Sequence, residues 1–471
     1  MGAAAAALLC GVFGLGVIAV TSMPSGAAGT ATLFVDNVNG TQTTGCTTSG
    51  AGACKTIQEG VDAAEVLTGT AVTLNVAGGT PYAEAVIINL TSASGDSLDI
   101  EGTGTSQPDL VLSGPTGSLV TIDNTTVGAL TIRNMAITGG NATGPEGAGG
   151  GINDLGSGTV TVDRDTFSHN SATFDGGAID FADKCVTGSA GTGTLNVSSS
   201  TFSNNQGSTS GTDGGAIDAN DCTGTGTMTV TDSTFNSNNA GDGGAIAHFS
   251  TAATSSVTNS TFEANGASSN NGGGLIGAHL NLTNDTIAGN VGNGIVSSSG
   301  GGVTVANSIL ADPCAGTITD DGHNVAADNT CGLGPNSISN STTIDLQGLA
   351  ANGSTGPQTA AISTSSSAHG IVPAASCTVT TDERGQPRPG IGFTTCDAGA
   401  YEIQKSTGYD LAGTDGGVFV FPVGQPKGFF GSIPGLGIHI NNIRGLVATN
   451  DFSGYNLVGS DGGVFVFPLG M

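Results

Sequence analysis

The sequence predicts an all-β protein: a right-handed parallel β-helix with an N-terminal cap helix and a small C-terminal β-repeat module. Three observations carry this. Two short phrases recur through the middle of the chain, the F-x-x-N phrase and its degenerate copies at intervals of 22–35 residues, the period of a solenoid. Around them lie short runs that alternate apolar and polar residues, the period of strands. The composition also opposes helix, since 81 of 471 residues are glycine and the frequent Ser, Thr and Asn compete with a helical backbone. Disorder is excluded by a hydrophobic content of 37% and a mean hydropathy of +0.12.

The N-terminal end comes first. Residues 4–20 are an apolar run followed by small residues, SMPSGAAG, which reads as a signal peptide over 1–28 with cleavage near Ala28. The Lys or Arg that usually precedes such a run is missing, so an upstream start or an uncleaved anchor competes with that reading. No other segment is apolar enough to span a bilayer. In residues 33–66, LFVDNVNG is a strand and turn. CKTIQEGVDAAEV then places Ile57, Val61 and Ala64 on one helical face, suited to closing the open end of a solenoid core.

The β-helix is expected over 31–404, with core repeats over about 71–312. Its first phrase is Gly-Gly-aliphatic, ending at Ile152, Ile179, Ile217, Ile246 and Leu275. Its second is F-x-x-N, at Phe167–Asn170, Phe202–Asn205, Phe235–Asn238 and Phe262–Asn265, with degenerate copies at Ile287–Asn290 and Ile309–Asp312. Coils of three short strands cannot bury their inner side chains alone, but stacked coils can. Gly-Gly supplies corners with positive φ or close backbone approach. The Asn is expected at a bend, bonding the coils above and below or adopting the left-handed conformation.

Eight cysteines remain beyond Cys10, in four sequential pairs without zinc-ligand spacing: Cys46–Cys54, Cys185–Cys222, Cys314–Cys331 and Cys377–Cys396. With an export signal, disulfides are the expected use. Setting Ile179 against Ile217 puts Cys185 and Cys222 at nearly equivalent places in neighbouring coils.

A resemblance follows from particular phrases. TLFVDNVNG with CKTIQEGVDAA resembles the start of secreted right-handed β-helix proteins. The GGAI and F-x-x-N phrases resemble repeats of polymorphic outer-membrane proteins. DGHNVAADNTCGLG, TDERGQPRPG and CDAGAYE resemble the end of choice-of-anchor Q surface proteins. Together these phrases span roughly 31–403. The resemblance implies an exported, surface-associated, pectate-lyase-like solenoid and no defined activity.

After Gln404 the composition changes. GYDLAGTDGGVFVFP at 408–422 recurs as GYNLVGSDGGVFVFP at 454–468. Strand, Asp-Gly-Gly turn, strand is a hairpin, and a 46-residue β repeat is propeller-like. It is similar to the GYWLVASDGGVF-type repeats of actinobacterial secreted proteins. Two copies are too few to close a ring, so 407–471 is expected to be a docking, dimerising or truncated module.

Candidate site residues come from the repeat alignment. Four residues before the aliphatic lie Asp175, Asp213, Asp242 and Asn271, hard oxygen ligands that would suit calcium. The competing reading is turn chemistry, since Asp-Gly is a favoured turn dipeptide. Asp180 and Asp218 follow the aliphatic, with Asp183 and Asp221 three residues on and His248 nearby. These four aspartates are the candidate acid and base of a glycan-cleaving enzyme. Against catalysis stands the absence of Trp and a count of four Tyr, which leaves little for stacking sugars.

The histidines share no metal spacing. Nine Lys and Arg against 37 Asp and Glu give a net charge of −28, which excludes a nucleic-acid binder and opposes a polyanionic substrate. Thr is frequent without regular T-x-T columns, which argues against ice or mineral binding. The expected role is therefore structural or adhesive at the cell surface, with a polysaccharide or a surface protein as partner. A polysaccharide hydrolase or lyase is the alternative.

Overall fold

The computed structural model describes residues 29–43, 45–91, 96–114, 116–123, 128–144, 147–181, 192–207, 214–219, 225–249, 254–298, 301–405, 409–421, 431–448 and 455–467. The expected signal peptide lies outside these residues. Within them the chain is a parallel β-helix. Three long parallel sheets of 11, 10 and 9 strands, here A, B and C, are visited in turn by each coil. The coil through Thr159–Asp163, Thr166–Ser168 and Ile179–Phe181 is representative. Each strand pairs in register with its counterpart one coil on, so Val160 lies beside Leu195 and Phe167 beside Phe202.

The apolar partners of this alternation fill the interior. Phe167, Phe202, Phe235 and Phe262 stack with centroids 4.7–4.8 Å apart and planes within 6° of parallel. The coil repeat imposes that spacing, within the range of favourable aromatic contacts. Each buried phenylalanine contributes roughly 2–3 kcal/mol by area alone.

The corners are held by two ladders of side-chain oxygens. In the first, the N–H of each F-x-x-N asparagine donates to the side-chain oxygen one coil on: Asn170 to Asn205, Asn205 to Asn238, Asn238 to Asn265 and Asn265 to Asn290, at 2.9–3.1 Å. Each Asn amide also donates back to the carbonyl of a core residue one coil earlier, as Asn238 Nδ2 does to Phe202. The expectation for this Asn therefore holds in its bonding. The left-handed residue is the one before it, as at His169, Asn204, Ser237 and Ala264.

The second ladder turns sheet A into sheet B through a two-residue corner. The first residue is left-handed: Asn134, Arg164, Ser199, Asp232, Asn259, Asn284, Asn307 and His323. The second is buried and, in every coil after Met135, polar. Its side-chain oxygen accepts the N–H of its counterpart, from Met135 to Asp165, Asp165 to Ser200, Ser200 to Ser233, Ser233 to Ser260, Ser260 to Asp285 and Asp285 to Ser308.

The Gly-Gly phrases make the third corner. Gly176 has φ +61°, and a Cβ there would lie 2.2 Å from the carbonyl oxygen of Ile179. Gly177 lies against the next coil, where a Cβ would meet the Gly215 carbonyl oxygen at 2.2 Å. One glycine is needed for its conformation and the other for its size.

At the N-terminal end the helix Ile57–Glu65 buries Ile57, Gly60, Val61 and Ala64 against the first coils, the expected face. A capping box between Thr56 and Glu59 starts it. Among the described residues no helix is long and apolar enough to cross a membrane. Disulfides join Cys46 to Cys54, Cys314 to Cys331 and Cys377 to Cys396. Cys185 and Cys222 lie outside the described residues.

Residues 341–405 form a lobe that folds back onto the outer face of sheet B. Its strands Leu346–Ala350 and Thr359–Ile362 are antiparallel. Ile344, Ile362, Ala368, Val372 and Ala398 share a core with Ile309 and Val325 of the solenoid. Gly399, at φ +93°, sits where a Cβ would be 2.7 Å from both Ile309 Cδ1 and Thr286 Oγ1.

The ladder makes a quantitative prediction. Asn238→Ala removes the partner of the Asn205 N–H, the Phe202 carbonyl and the Asn265 side-chain oxygen. Its expected cost is about 3–5 kcal/mol, as buried polar groups are left unbonded. Asn329→Ala, exposed and outside the ladder, should cost less than about 1 kcal/mol. Denaturant melts of the two variants check this, and equal costs would remove the ladder from its structural role.

Candidate functional site

The lobe covers only part of sheet B, and its edge creates a groove. Along the outside of that sheet Thr166, Thr201, Thr234, Thr261 and Thr286 stand in register, one per coil. The sequence shows this column as the Thr before each phrase aromatic or aliphatic. It does not show that the lobe buries Thr234, Thr261 and Thr286 while Thr166 and Thr201 stay partly open. Beside these two lies a groove of about 530 Å³. Its solenoid wall is the left-handed corner row, Asn134, Arg164, Ser199 and Asp232, with Asp165 behind it. Its other wall is the lobe at Ser354–Pro357 and Glu383–Gly385.

The lobe wall is fixed by the TDERGQPRP and CDAGAYE segments, which make a buried ionic knot. Asp382 pairs with Arg384 and Arg388 with Glu402, all four side chains buried. The Arg384 guanidinium also lies 3.8 Å from the centre of the Tyr401 ring and donates to the Asn352 and Glu402 carbonyls. Asp397 accepts from His369 Nδ1 at 2.7 Å and from the amides of Gly370 and Ile403. These charged residues build the lobe; what reaches the groove is Glu383, Arg384 and Gly385.

Glu383 pins lobe to solenoid. Its Oε2 accepts from Thr261 Oγ1 at 2.5 Å, and its Oε1 lies 2.9 Å from Thr234 Oγ1. Thr234 Oγ1 is also 2.6 Å from the Gln358 carbonyl oxygen. A hydroxyl has one hydrogen. The carbonyl can only accept, so that hydrogen goes to Gln358 and Glu383 supplies the second. Glu383 is therefore a neutral acid. Its burial, which pushes the carboxyl well above its ordinary value, agrees with this.

Two further carboxyls face unusual surroundings. Burial pushes Asp232 up from 3.8 to about 6, against an opposing hydrogen bond from Asn259. Asp165 is buried and raised well above its ordinary value by desolvation. Its Oδ1 accepts the Met135 N–H, and the Asp163 amide also favours its charged form, against the larger effect of burial. Ser200, Ser233 and Ser260 fill the same ladder position with a smaller and neutral group. Asp165 breaks that rule at the groove. Asp285, which also breaks it, has both oxygens bonded to amides, from Ser260 and Thr283.

The residues singled out from the sequence lie elsewhere. Asp180 and Asp218 are in register on sheet C, as the alignment requires, but both are buried. They do not form an exposed acid–base pair. Asp183 and Asp221 lie outside the described residues. His248 points into the solenoid, bonded to the Ala278 carbonyl and to Ser255 Oγ, and burial lowers its basicity. Of the candidate calcium row, Asp242 pairs with Asn271 and Asp175 precedes its left-handed glycine; Asp213 lies outside the described residues. The carbonyls of Asp175, Asp242 and Asn271 accept inter-coil hydrogen bonds. Among the described residues no three His, Cys, Asp or Glu side chains gather as a metal-holding group.

A scan of the chain against protein-family models gives no match, and a search of curated proteins gives none either.

The groove carboxyls fix the sign of a pH dependence. Glu383 is raised above 4.5 and Asp232 above 3.8 in the folded state. Their contribution is complete below those ordinary values and is lost as pH rises through the elevated ones. For Asp232 that window ends near pH 6. Glu383→Gln keeps a donor for Thr234 and an acceptor for Thr261 without a titrating proton. Wild type is expected to melt lower at pH 8 than at pH 4.5, and the variant to show a smaller difference. An unchanged difference in calorimetry would mean that Glu383 is ionised when folded.

Proposed function

We propose that this chain is an exported β-helix scaffold that binds a hydroxyl-rich ligand, a neutral carbohydrate chain, in the groove beside the lobe. The carrying observation is the groove itself, whose open solenoid wall presents the hydroxyls and amides of Thr166, Thr201, Ser199, Asn134 and Gln107 together with Asp232 and Arg164. Such groups exchange hydrogen bonds with hydroxyls, and repeated coils present them at about 4.8 Å intervals. The net charge of −28 favours an uncharged polymer over a polyanion. The paired cysteines support an oxidising destination outside the cytosol.

One observation favours a catalytic version of this reading. Asp165 and Asp232 sit two coils apart on the same groove, hence about 10 Å along the axis. Burial raises both, Asp165 well above its ordinary value and Asp232 to about 6. An acid and a base at the upper end of inverting separation suit glycoside hydrolysis.

The test is binding of a panel of neutral polysaccharides, by calorimetry or affinity electrophoresis, with reducing ends assayed in parallel. Thr201→Val and Asp232→Asn are each expected to weaken binding by ~10-fold, the worth of one or two hydrogen bonds. Release of reducing ends, lost in Asp165→Asn and Asp232→Asn, would establish the catalytic version. Binding that ignores all three substitutions would place the ligand elsewhere on the solenoid and end the groove reading.

A further inference from the structure

The C-terminal module contains one hairpin twice, and the two copies bury opposite faces. In Tyr409–Ala412 and Val418–Phe421, Leu411 lies opposite Phe419 and Ala412 opposite Val418. Directly opposed residues share a face, so this hairpin has a Leu/Phe face and an Ala/Val face. In Tyr455–Gly459 and Val464–Phe467, Leu457 lies opposite Phe465 and Val458 opposite Val464. The same two faces result, with Val458 in place of Ala412.

The packing between the copies is one-sided. The module core takes Val418 from the first hairpin, with Ala412 against it. From the second it takes Tyr455, Leu457 and Phe467, with Phe465 against them, and Ile433 and Ile443 complete it. The first hairpin therefore contributes its Ala/Val face and the second its Leu/Phe face. The two complementary faces stay open. Leu411 and Phe419 are 53% and 61% exposed, whereas their counterpart Leu457 is fully buried. Val464 and Val466 are 56% and 51% exposed, whereas Val418, the counterpart of Val464, is 9% exposed. Val447 shares this face and is also exposed, but Asn456 of the central strand lies between it and Val466.

We propose that copies of this chain associate head to tail through these faces, the Leu411/Phe419 face of one copy seating on the Val464/Val466 face of the next. Such a contact continues the interface that already joins the two repeats and uses matching side chains. A second copy is the occupant because every chain carries both halves of a pairing that its own core has already formed once. Clustered apolar side chains at this exposure mark an interaction surface. A head-to-tail contact is heterologous, so it extends into longer assemblies or closes as a ring, according to the rotation between copies.

The test is sedimentation velocity of the full chain across a concentration series, with Phe419→Asp and Val464→Asp each made separately. Both positions are exposed, and circular dichroism checks that each variant keeps its β signal. Wild type is expected to form dimers and larger species as concentration rises. Each variant alone should raise the apparent dissociation constant by at least ~10-fold, as for a central apolar contact. Mixing the two variants should restore a 1:1 dimer and nothing larger, because each retains the half that the other lacks. A monomeric wild type at all concentrations overturns the proposal. So does a Val464→Asp variant that still dimerises while Phe419→Asp does not, since that would be a like-to-like contact through one face.

Discussion

Every corner of this solenoid depends on a single requirement: a backbone N–H turned away from a sheet must find an oxygen in the neighbouring coil. Strands satisfy their own amides by parallel pairing, but at a bend the chain leaves the sheet and its donors would be stranded. The Asn ladder and the Ser/Asp ladder supply those oxygens, one per coil. They also offset the left-handed conformations beside them, which cost a non-glycine residue roughly 1–2 kcal/mol each. The interior Phe stack depends on the ladders, because rings 4.8 Å apart require coils that neither slip nor tilt. Apolar burial supplies most of the energy, and the polar corners supply the register.

That rigid frame makes the groove specific. A flat sheet B would offer a uniform row of threonines. The lobe interrupts the row, hides three of its members and turns the remaining two into one wall of a cleft. The ionic knot of Asp382, Arg384, Arg388, Asp397 and Glu402 keeps the lobe in shape, and Glu383 joins it to the solenoid through two hydroxyls. Desolvation then acts on Asp165 and Asp232, which sit at the junction of the two parts. Asp232 also feels Asp382 and Arg388 of the lobe, so its altered acidity is a property of the assembly.

Much of the fold was legible because a solenoid writes its requirements once per coil. F-x-x-N repeats since each coil must supply the same oxygen and the same ring. Gly-Gly repeats since each coil must make the same tight corner. The cap helix was legible from Ile57, Val61 and Ala64 alone. The left-handed corner row was not, because its requirement is conformational and is met by Asn, Arg, Ser, Asp and His in turn. Asp180 and Asp218 alternate with inward residues as exposed aspartates would, yet they are buried, and alternation says nothing of what lies over a sheet. The groove was invisible for the same reason. Nothing in residues 341–405 repeats, and the side chains they meet lie far back in the sequence.

That distance bears on the order in which the molecule assembles. Successive coils close over 25–35 residues along the asparagine ladder. The contacts of Glu383 with Thr234 and Thr261 span 149 and 122. Short loops close before long ones, so the coils can stack progressively from the cap helix onward, each templating the next. The lobe can dock only when the solenoid beneath it is complete. The groove is thus the last surface to exist, and its formation reports that every coil it spans has already found its register.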